Sequence, residues 1–171
     1  MTGSAARRVA LGLGANLGDR VAALQGAVDV IAPRLADPAV SSVYETAPVG
    51  GPEQPDYANA VLVGGWQGEP LELLELAHEA EREWRRAREV RWGPRTLDVD
   101  VLVVGDLVSD DETLTLPHPR AHERAFVLVP WAEVDPQATL PDGSRVTDLA
   151  ATVDGGGAVR RRRDVVLVLP S

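Results

Sequence analysis

An α+β fold, one antiparallel sheet carrying two helices, is what the order of patterned segments in this chain predicts. Three observations carry it. Short runs rich in valine and leucine recur four times between glycine- and proline-bearing turns. Two longer segments fall between them, one of which has strong helical spacing of apolar residues. The resulting order is β-α-β-β-α-β, with no internal repeat.

Each element has its own signal. Val9 to Leu13 reads as the first strand and runs into the glycine-rich turn GLGANLGD, where Asp19 or Asn16 caps a helix extending to about Ala32. AVSSVYET reads as the second strand. The stretch APVGGPEQPDY, with three prolines and two adjacent glycines, is a long irregular loop. YANAVLVGG is the third strand. In EPLELLELAHEAEREWRRA, residues Leu71, Leu74, Ala77 and Glu81 lie at helical spacing behind an early proline, which predicts the second helix. TLDVDVLVV is the fourth strand. This is the ferredoxin-like arrangement, an antiparallel sheet with both helices on one face, and from about Asp106 it is followed by a C-terminal extension of short elements. Within that tail Val165 to Leu169 is expected to add an edge strand, DGGGAV to form a flexible turn, and Arg160 to Arg163 to be a solvated run.

Bulk properties bound the function. A chain of 171 residues makes one domain, 1–171, able to bury a core without disulfides or metal staples. It has no cysteine, so there is no thiol nucleophile and no zinc–thiolate site, in keeping with a reducing compartment. No apolar run suits a signal peptide or a membrane span, and a cytoplasmic monomer is expected. The net charge of −9 argues against an extended nucleic-acid surface. All 17 cations are arginine, which excludes P-loop lysine and Schiff-base chemistry. Six of them, Arg82, Arg85, Arg86, Arg88, Arg91 and Arg95, crowd into one segment, which suggests a local anionic ligand such as phosphate.

Directly after that segment stand Asp98 and Asp100. Residues two apart on a strand share a face, with Cα atoms roughly 6.5 Å apart. Leu97, Val99 and Val101 then face the helices. Two carboxylates so placed suit one or two hard cations, and oxygen ligands without cysteine point to magnesium with ATP. Two solvated aspartates, or one paired to Arg95, would explain the same pattern. The other motifs are weaker. Gly12-x-Gly14-x-x-x-Gly18 departs by one residue from the dinucleotide fingerprint and suits a capping turn better. His118 and His122 have i,i+4 spacing, but Pro119 lies between them and no third ligand is near, which favours structural roles. Taken singly, Tyr57, Trp92 and Phe126 read as core aromatics.

Together, YETAPVGGPEQPDYANAVL, RWGPRTLDVDVLV and LTLPHPRAHERAFVLVPWAEVDP, with GLGANLGD before them, resemble the 6-hydroxymethyl-7,8-dihydropterin pyrophosphokinase family of folate biosynthesis, from about Val9 to Asp148. The resemblance implies transfer of pyrophosphate from ATP to the pterin hydroxymethyl group, releasing AMP. It implies that Asp98 and Asp100 hold two Mg²⁺ ions and that Asp100 helps take up the hydroxyl proton. It places Thr46, Val49, Tyr57, Asn59, Trp92 and Phe126 at the pterin, whose flat ring wants aromatic faces and whose amide-like edge wants a carboxamide. It assigns Arg86 and Arg95 to catalysis, and Glu81, Arg88, Arg91, Val101, Leu114, Thr115, His118 and Arg124 to the nucleotide. Ala15, Ala47 and Arg85 stand where the family often has serine, proline and glycine. Two rivals fit the same D-x-D strand without the resemblance: a nucleotidyltransferase, which normally needs a third carboxylate, and a non-catalytic ferredoxin-like binding module.

Overall fold

The structure, a computed structural model, describes residues 6–16, 18–46, 56–89, 97–153 and 159–170, with the side chains of α2 through residue 86. The first half runs β1 (Arg7–Ala15), α1 (Arg20–Ile31), β2 (Ala36–Val40), β3 (Val43–Thr46), β4 (Tyr57–Trp66), α2 (Pro70–Glu89) and β5 (Asp98–Val104). The remainder contributes the short pair β6 (Ser109–Asp110) and β7 (Thr115–Leu116), then α3 (Ala125–Val134), α4 (Val146–Val153) and β8 (Val159–Arg162). The main sheet has the order β5-β1-β4-β3-β8, with β2 also pairing β4. Every named ladder in it is antiparallel. No helix among the described residues is long and apolar enough to cross a membrane.

Period-two alternation divides the sheet into two unlike faces. Val9, Leu11 and Leu13 of β1, Ala58, Ala60 and Leu62 of β4, and Leu97, Val99 and Val101 beside or within β5 are buried in one cluster with α1 and α2. The two helices pack closely: Gly26 of α1 faces Trp84 of α2, where a Cβ would lie 3.5 Å from the ring, at ordinary contact distance. Asp19 is the cap of α1, accepting from the Ala22 N–H at 3.0 Å, and Gly18 enters the turn at φ 80°. The buried stripe of α2 is Leu73, Leu76, Ala77, Ala80 and Trp84. Leu71 is exposed and Leu74 and Glu81 are half-buried, so the stripe expected through Leu71, Leu74, Ala77 and Glu81 is rotated from the real one.

The opposite face corrects the expectation that helices cover one side only. Ala10, Val61, Val63, Leu102 and Val103 are buried against Val127, Leu128 and Trp131 of α3 and Val146 and Ala150 of α4. The sequence AFVLVPWAEV is apolar almost all round, as a helix packed deep against a sheet must be. Beyond this cover the same face carries polar residues.

Two further departures have local causes. The second strand is broken in two at Ser41 and Ser42. Buried Ser41 donates its N–H to the Val61 carbonyl at 2.9 Å, while its Oγ accepts from the Val61 N–H at 2.9 Å, so a hydroxyl replaces a ladder carbonyl. The C-terminal edge strand is Val159–Arg162 rather than Val165 to Leu169. Arg162 bonds Glu45 at 2.9 Å and Asp164 at 2.6 Å, and Arg160 bonds Asp56 at 2.6 Å, so these arginines are paired rather than merely solvated. Val168 is instead held by the Gln25 carboxamide, which donates to its carbonyl at 2.7 Å and accepts from its N–H at 2.9 Å. Residues 47–55 of the expected loop APVGGPEQPDY and most of the turn DGGGAV lie outside the described residues.

Candidate functional site

The polar end of the α3-bearing face is the candidate site. Asp98 and Asp100 lie on β5, and the ladder sets Asp98 opposite Gly14 and Asp100 opposite Gly12. With no side chains beside them on β1, the carboxylates look into open space. On its other side β1 pairs with β4, which sets Gly14 beside Asn59, and a Cβ on Gly14 would come within 3.4 Å of Asn59 Oδ1. Buried Asn59 donates from Nδ2 to Thr46 Oγ1 at 3.1 Å, which orients its carboxamide. Tyr57 pairs with Thr46 across β3 and β4.

These residues floor a cavity of about 530 Å³, a size suited to a small ligand. Its wall is the start of α3, with Arg124, Phe126 and Val127, the preceding turn, with Arg120 and Glu123, and Val159 of β8. Arg124 places its guanidinium 5.5 Å from the centroid of the Phe126 ring, one cation stacked on one aromatic face. The pocket therefore joins a carboxylate pair, an oriented carboxamide, two aromatics and two arginines.

Its electrostatics leave negative charge in excess near β5. Burial, then the charge of Asp100, pushes the Asp98 carboxyl above its ordinary range. Glu81 accepts from the Val99 N–H at 2.8 Å on the outer edge of β5, yet burial raises it, with Asp98 and Asp100 adding to the rise. A cation between the aspartates would relieve this repulsion. Among the described residues no group of three or more His, Asp or Glu side chains is placed to hold a metal. Two carboxylates fit Mg²⁺ all the same, because that ion usually takes one or two carboxylates and fills its octahedron with water and substrate phosphates. Nearby, His118 donates its backbone N–H to Leu102 at 2.8 Å and accepts from the Arg120 N–H on Nδ1 at 3.2 Å. Burial lowers its pKa, Asp100 works the other way, and Arg124 and Arg120 reinforce the lowering.

The structure thus brings Thr46, Tyr57, Asn59, Phe126, Arg124, Asp98 and Asp100 into one cavity, with Glu81 and His118 along the edge of β5. Arg86 points elsewhere, paired with Glu83 on the exposed side of α2. Val101 and Leu114 are buried in the core on the α1 and α2 side, and the Thr115 hydroxyl donates to the Asp111 carbonyl at 3.0 Å. Val49, Arg91, Trp92 and Arg95, and the Arg88 side chain, lie outside the described residues. Sequence reasoning missed Gly12, Gly14, Arg120, Glu123 and Val159. The two glycines were visible at strand spacing, but only the register shows that they face the aspartates.

A family model described as 7,8-dihydro-6-hydroxymethylpterin-pyrophosphokinase (HPPK) matches residues 10–136. The chain belongs to this family. Its relatives named 2-amino-4-hydroxy-6-hydroxymethyldihydropteridine pyrophosphokinase include that of Mycobacterium bovis, 46% identical over 78% of this chain and 75% of the relative. That of Bacillus subtilis is 43% identical over 81% of this chain and 84% of the relative. That of Methylorubrum extorquens is 41% identical over 90% and 98%. Among solved structures, wild-type HPPK-DHPS of Plasmodium falciparum superposes with a TM-score of 0.70 at 12% identity, a likeness of fold. The match covers 94% of this chain and 49% of that longer one. The matched family segment contains every strand of the cavity floor, while Val159 falls after it.

Proposed function

We propose that the cavity over Asp98 and Asp100 is where this pyrophosphokinase brings MgATP and 6-hydroxymethyl-7,8-dihydropterin together. As a member of its family, the chain transfers the pyrophosphate of ATP to the pterin hydroxymethyl group in folate biosynthesis, giving AMP and the pterin diphosphate. The hydroxyl oxygen bonds to the β-phosphorus, the bridge to the α-phosphate breaks, and AMP leaves with the bridging oxygen. The observation that carries the assignment is the one-sided row Asp98, Asp100, Asn59, Thr46: metal-binding chemistry and heterocycle-binding chemistry on adjacent strands of one face.

Phe126 and Tyr57 offer faces to the pterin ring, and Asn59, held by Thr46, offers its amide edge a matching donor and acceptor. Asp98 and Asp100 would hold two Mg²⁺ ions with the phosphates, and these ions neutralise charge on the transferring group when bound. Asp100, half-buried on the same face of β5, helps take up the hydroxyl proton. Arg124 and the arginines Arg88, Arg91 and Arg95 serve the phosphates, and Arg86 joins them by exchanging its Glu83 partner for phosphate, with Glu81, Thr115 and His118 on the nucleotide side and backbone groups of Val101 and Leu114 beside them. Val49 and Trp92 complete the pterin pocket. The whole chain works as one ferredoxin-like domain with a C-terminal extension, a monomer in the cytoplasm. The strand order supports the topology, and a net charge of −9 supports a role without nucleic acid. Family membership disfavours both the nucleotidyltransferase and the binding module.

Asp98→Asn and Asp100→Asn test the site. Each should keep the fold and lose more than about 100-fold in turnover, the size expected when a metal worth several kcal/mol of charge stabilisation is lost. Mass analysis of AMP and pterin diphosphate reads the result; near-normal turnover in both variants would remove the metal assignment.

A further inference from the structure

Resting on the placement of the pterin at Thr46 and Tyr57, we propose that β8 is part of the substrate site. Val159 is a specificity-determining wall, and Arg160 is a positioning residue that fixes Thr46 and Tyr57 through the residues just before them.

Thr46 pairs with Tyr57 on one side and with Val159 on the other, so these three stand in a row across three adjacent strands. All three line the cavity. Side chains alternate along a strand, so the neighbouring row, Glu45 and its partner Arg160, faces the other side of the sheet. There the charges interlock. The Glu45 side chain, only 12% exposed, meets Arg20 at 2.8 Å, Arg162 at 2.9 Å and Arg160 at 3.6 Å. Arg160 also meets Asp56 at 2.6 Å, and Arg20 donates to the Asp56 carbonyl at 2.6 Å.

Glu45 immediately precedes Thr46, and Asp56 immediately precedes Tyr57. Arg160 therefore ties together the two backbone points from which these pocket side chains spring. A four-residue strand of three consecutive arginines after one valine has little apolar surface with which to hold itself on a sheet edge. Its charges hold it, and in doing so they seat Val159 against the pocket. Since the family match ends at residue 136, this wall is supplied by a segment outside the matched region.

The test uses full-length Val159→Trp, Arg160→Gln and Arg160→Lys, with pterin affinity measured by calorimetry in the presence of Mg²⁺ and a non-transferable ATP analogue. The analogue's own affinity and the melting temperature are measured in parallel. Val159→Trp should weaken pterin binding by about tenfold or more, the scale on which a pocket rejects excess bulk, with analogue binding unchanged. Arg160→Gln should weaken pterin selectively, Arg160→Lys should recover part of the loss, and raised salt should reproduce it in the wild type because the Arg160 side chain is exposed. Unchanged pterin affinity in both Val159→Trp and Arg160→Gln would overturn the proposal. So would a parallel fall in pterin affinity, analogue affinity and melting temperature, which is the signature of a purely structural strand. Wild-type formation of AMP and pterin diphosphate keeps the two levels apart: a wild type that turns over while the variants bind pterin normally loses only the role of β8, whereas a wild type that binds no pterin loses the site itself.

Discussion

Tyr44 shows how one residue ties the cavity floor to its wall. It lies two residues before Thr46 on β3 and donates its hydroxyl to Glu133 Oε1 of α3 at 2.9 Å, while Ser42 donates its N–H to the same carboxylate at 3.0 Å. Burial, then the bond to Glu133 and its charge, pushes the phenol up to about 12, with Arg161 and Arg163 opposing. An unfolded tyrosine ionises near 10. Between these values the folded chain holds a proton that the unfolded chain has lost, so the contribution of Tyr44 to stability is complete below about pH 10 and disappears as the pH rises through about 12. Phenolate absorbance should therefore show one of the two tyrosines ionising late, and Tyr44→Phe should abolish that component. The same substitution should cost about 1 kcal/mol in urea unfolding near neutral pH, the usual worth of one hydrogen bond. Ionisation of Tyr44 near pH 10 would remove this account. Asp98 and Asp100 were legible at this scale because period-two spacing alone puts them on one face. Tyr44 was not, because its partner lies 89 positions away in the sequence.

At the scale of elements, the break between β2 and β3 is a sharper case. Ser41 supplies both halves of the bonding that a continuous ladder would have given Val61. Ser41→Ala keeps its backbone donation but strands the buried Val61 N–H, which should cost about 1–3 kcal/mol, read as a lower urea midpoint with an unchanged slope. An unchanged midpoint would mean that water replaces the hydroxyl. Local chemistry made α1 readable: Asp19 caps it as the sequence suggests, and β5 follows its alternation. Non-local chemistry hid β8. Its arginines resemble a solvated run until Glu45 and Asp56 are brought to them by β3 and β4, whereas the apolar 165–169 segment, which looks like a strand, is anchored by buried Leu167 and by the Gln25 bonds to Val168. The cover supplied by α3 and α4 was hidden for the same reason, since the polar-apolar division of that sheet face depends on the register of three strands at once.

For the whole molecule, the two substrates should not bind independently. The sheet side of the proposed pterin pocket is built from strands: Thr46 and Asn59 are hydrogen-bonded to one another, and Phe126 of the facing helix is stacked under Arg124. The remaining predicted contacts, Trp92 for the pterin and Arg91 and Arg95 for the phosphates, belong to the arginine-dense segment. That segment carries six arginines against two glutamates between Arg82 and Arg95, and the repulsion among its excess cations opposes any arrangement that gathers them over the cavity. The triphosphate supplies the compensating charge, so binding of MgATP should favour the arrangement that also sets Trp92 against the pterin. A coupling of about 1–3 kcal/mol, roughly 5- to 150-fold in affinity, is the usual range for such linked sites. Calorimetric titration of the pterin should accordingly be tighter by a factor in that range when Mg²⁺ and a non-transferable ATP analogue are present. Linkage requires the converse as well, so saturating pterin must tighten the analogue by the same factor. Raising the salt should shrink both factors together, because screening weakens the repulsion that the phosphates relieve. Equal pterin affinities with and without the analogue would refute the coupling and leave the family assignment standing, since the latter rests on residues 10–136 as a whole and not on the order in which the substrates arrive.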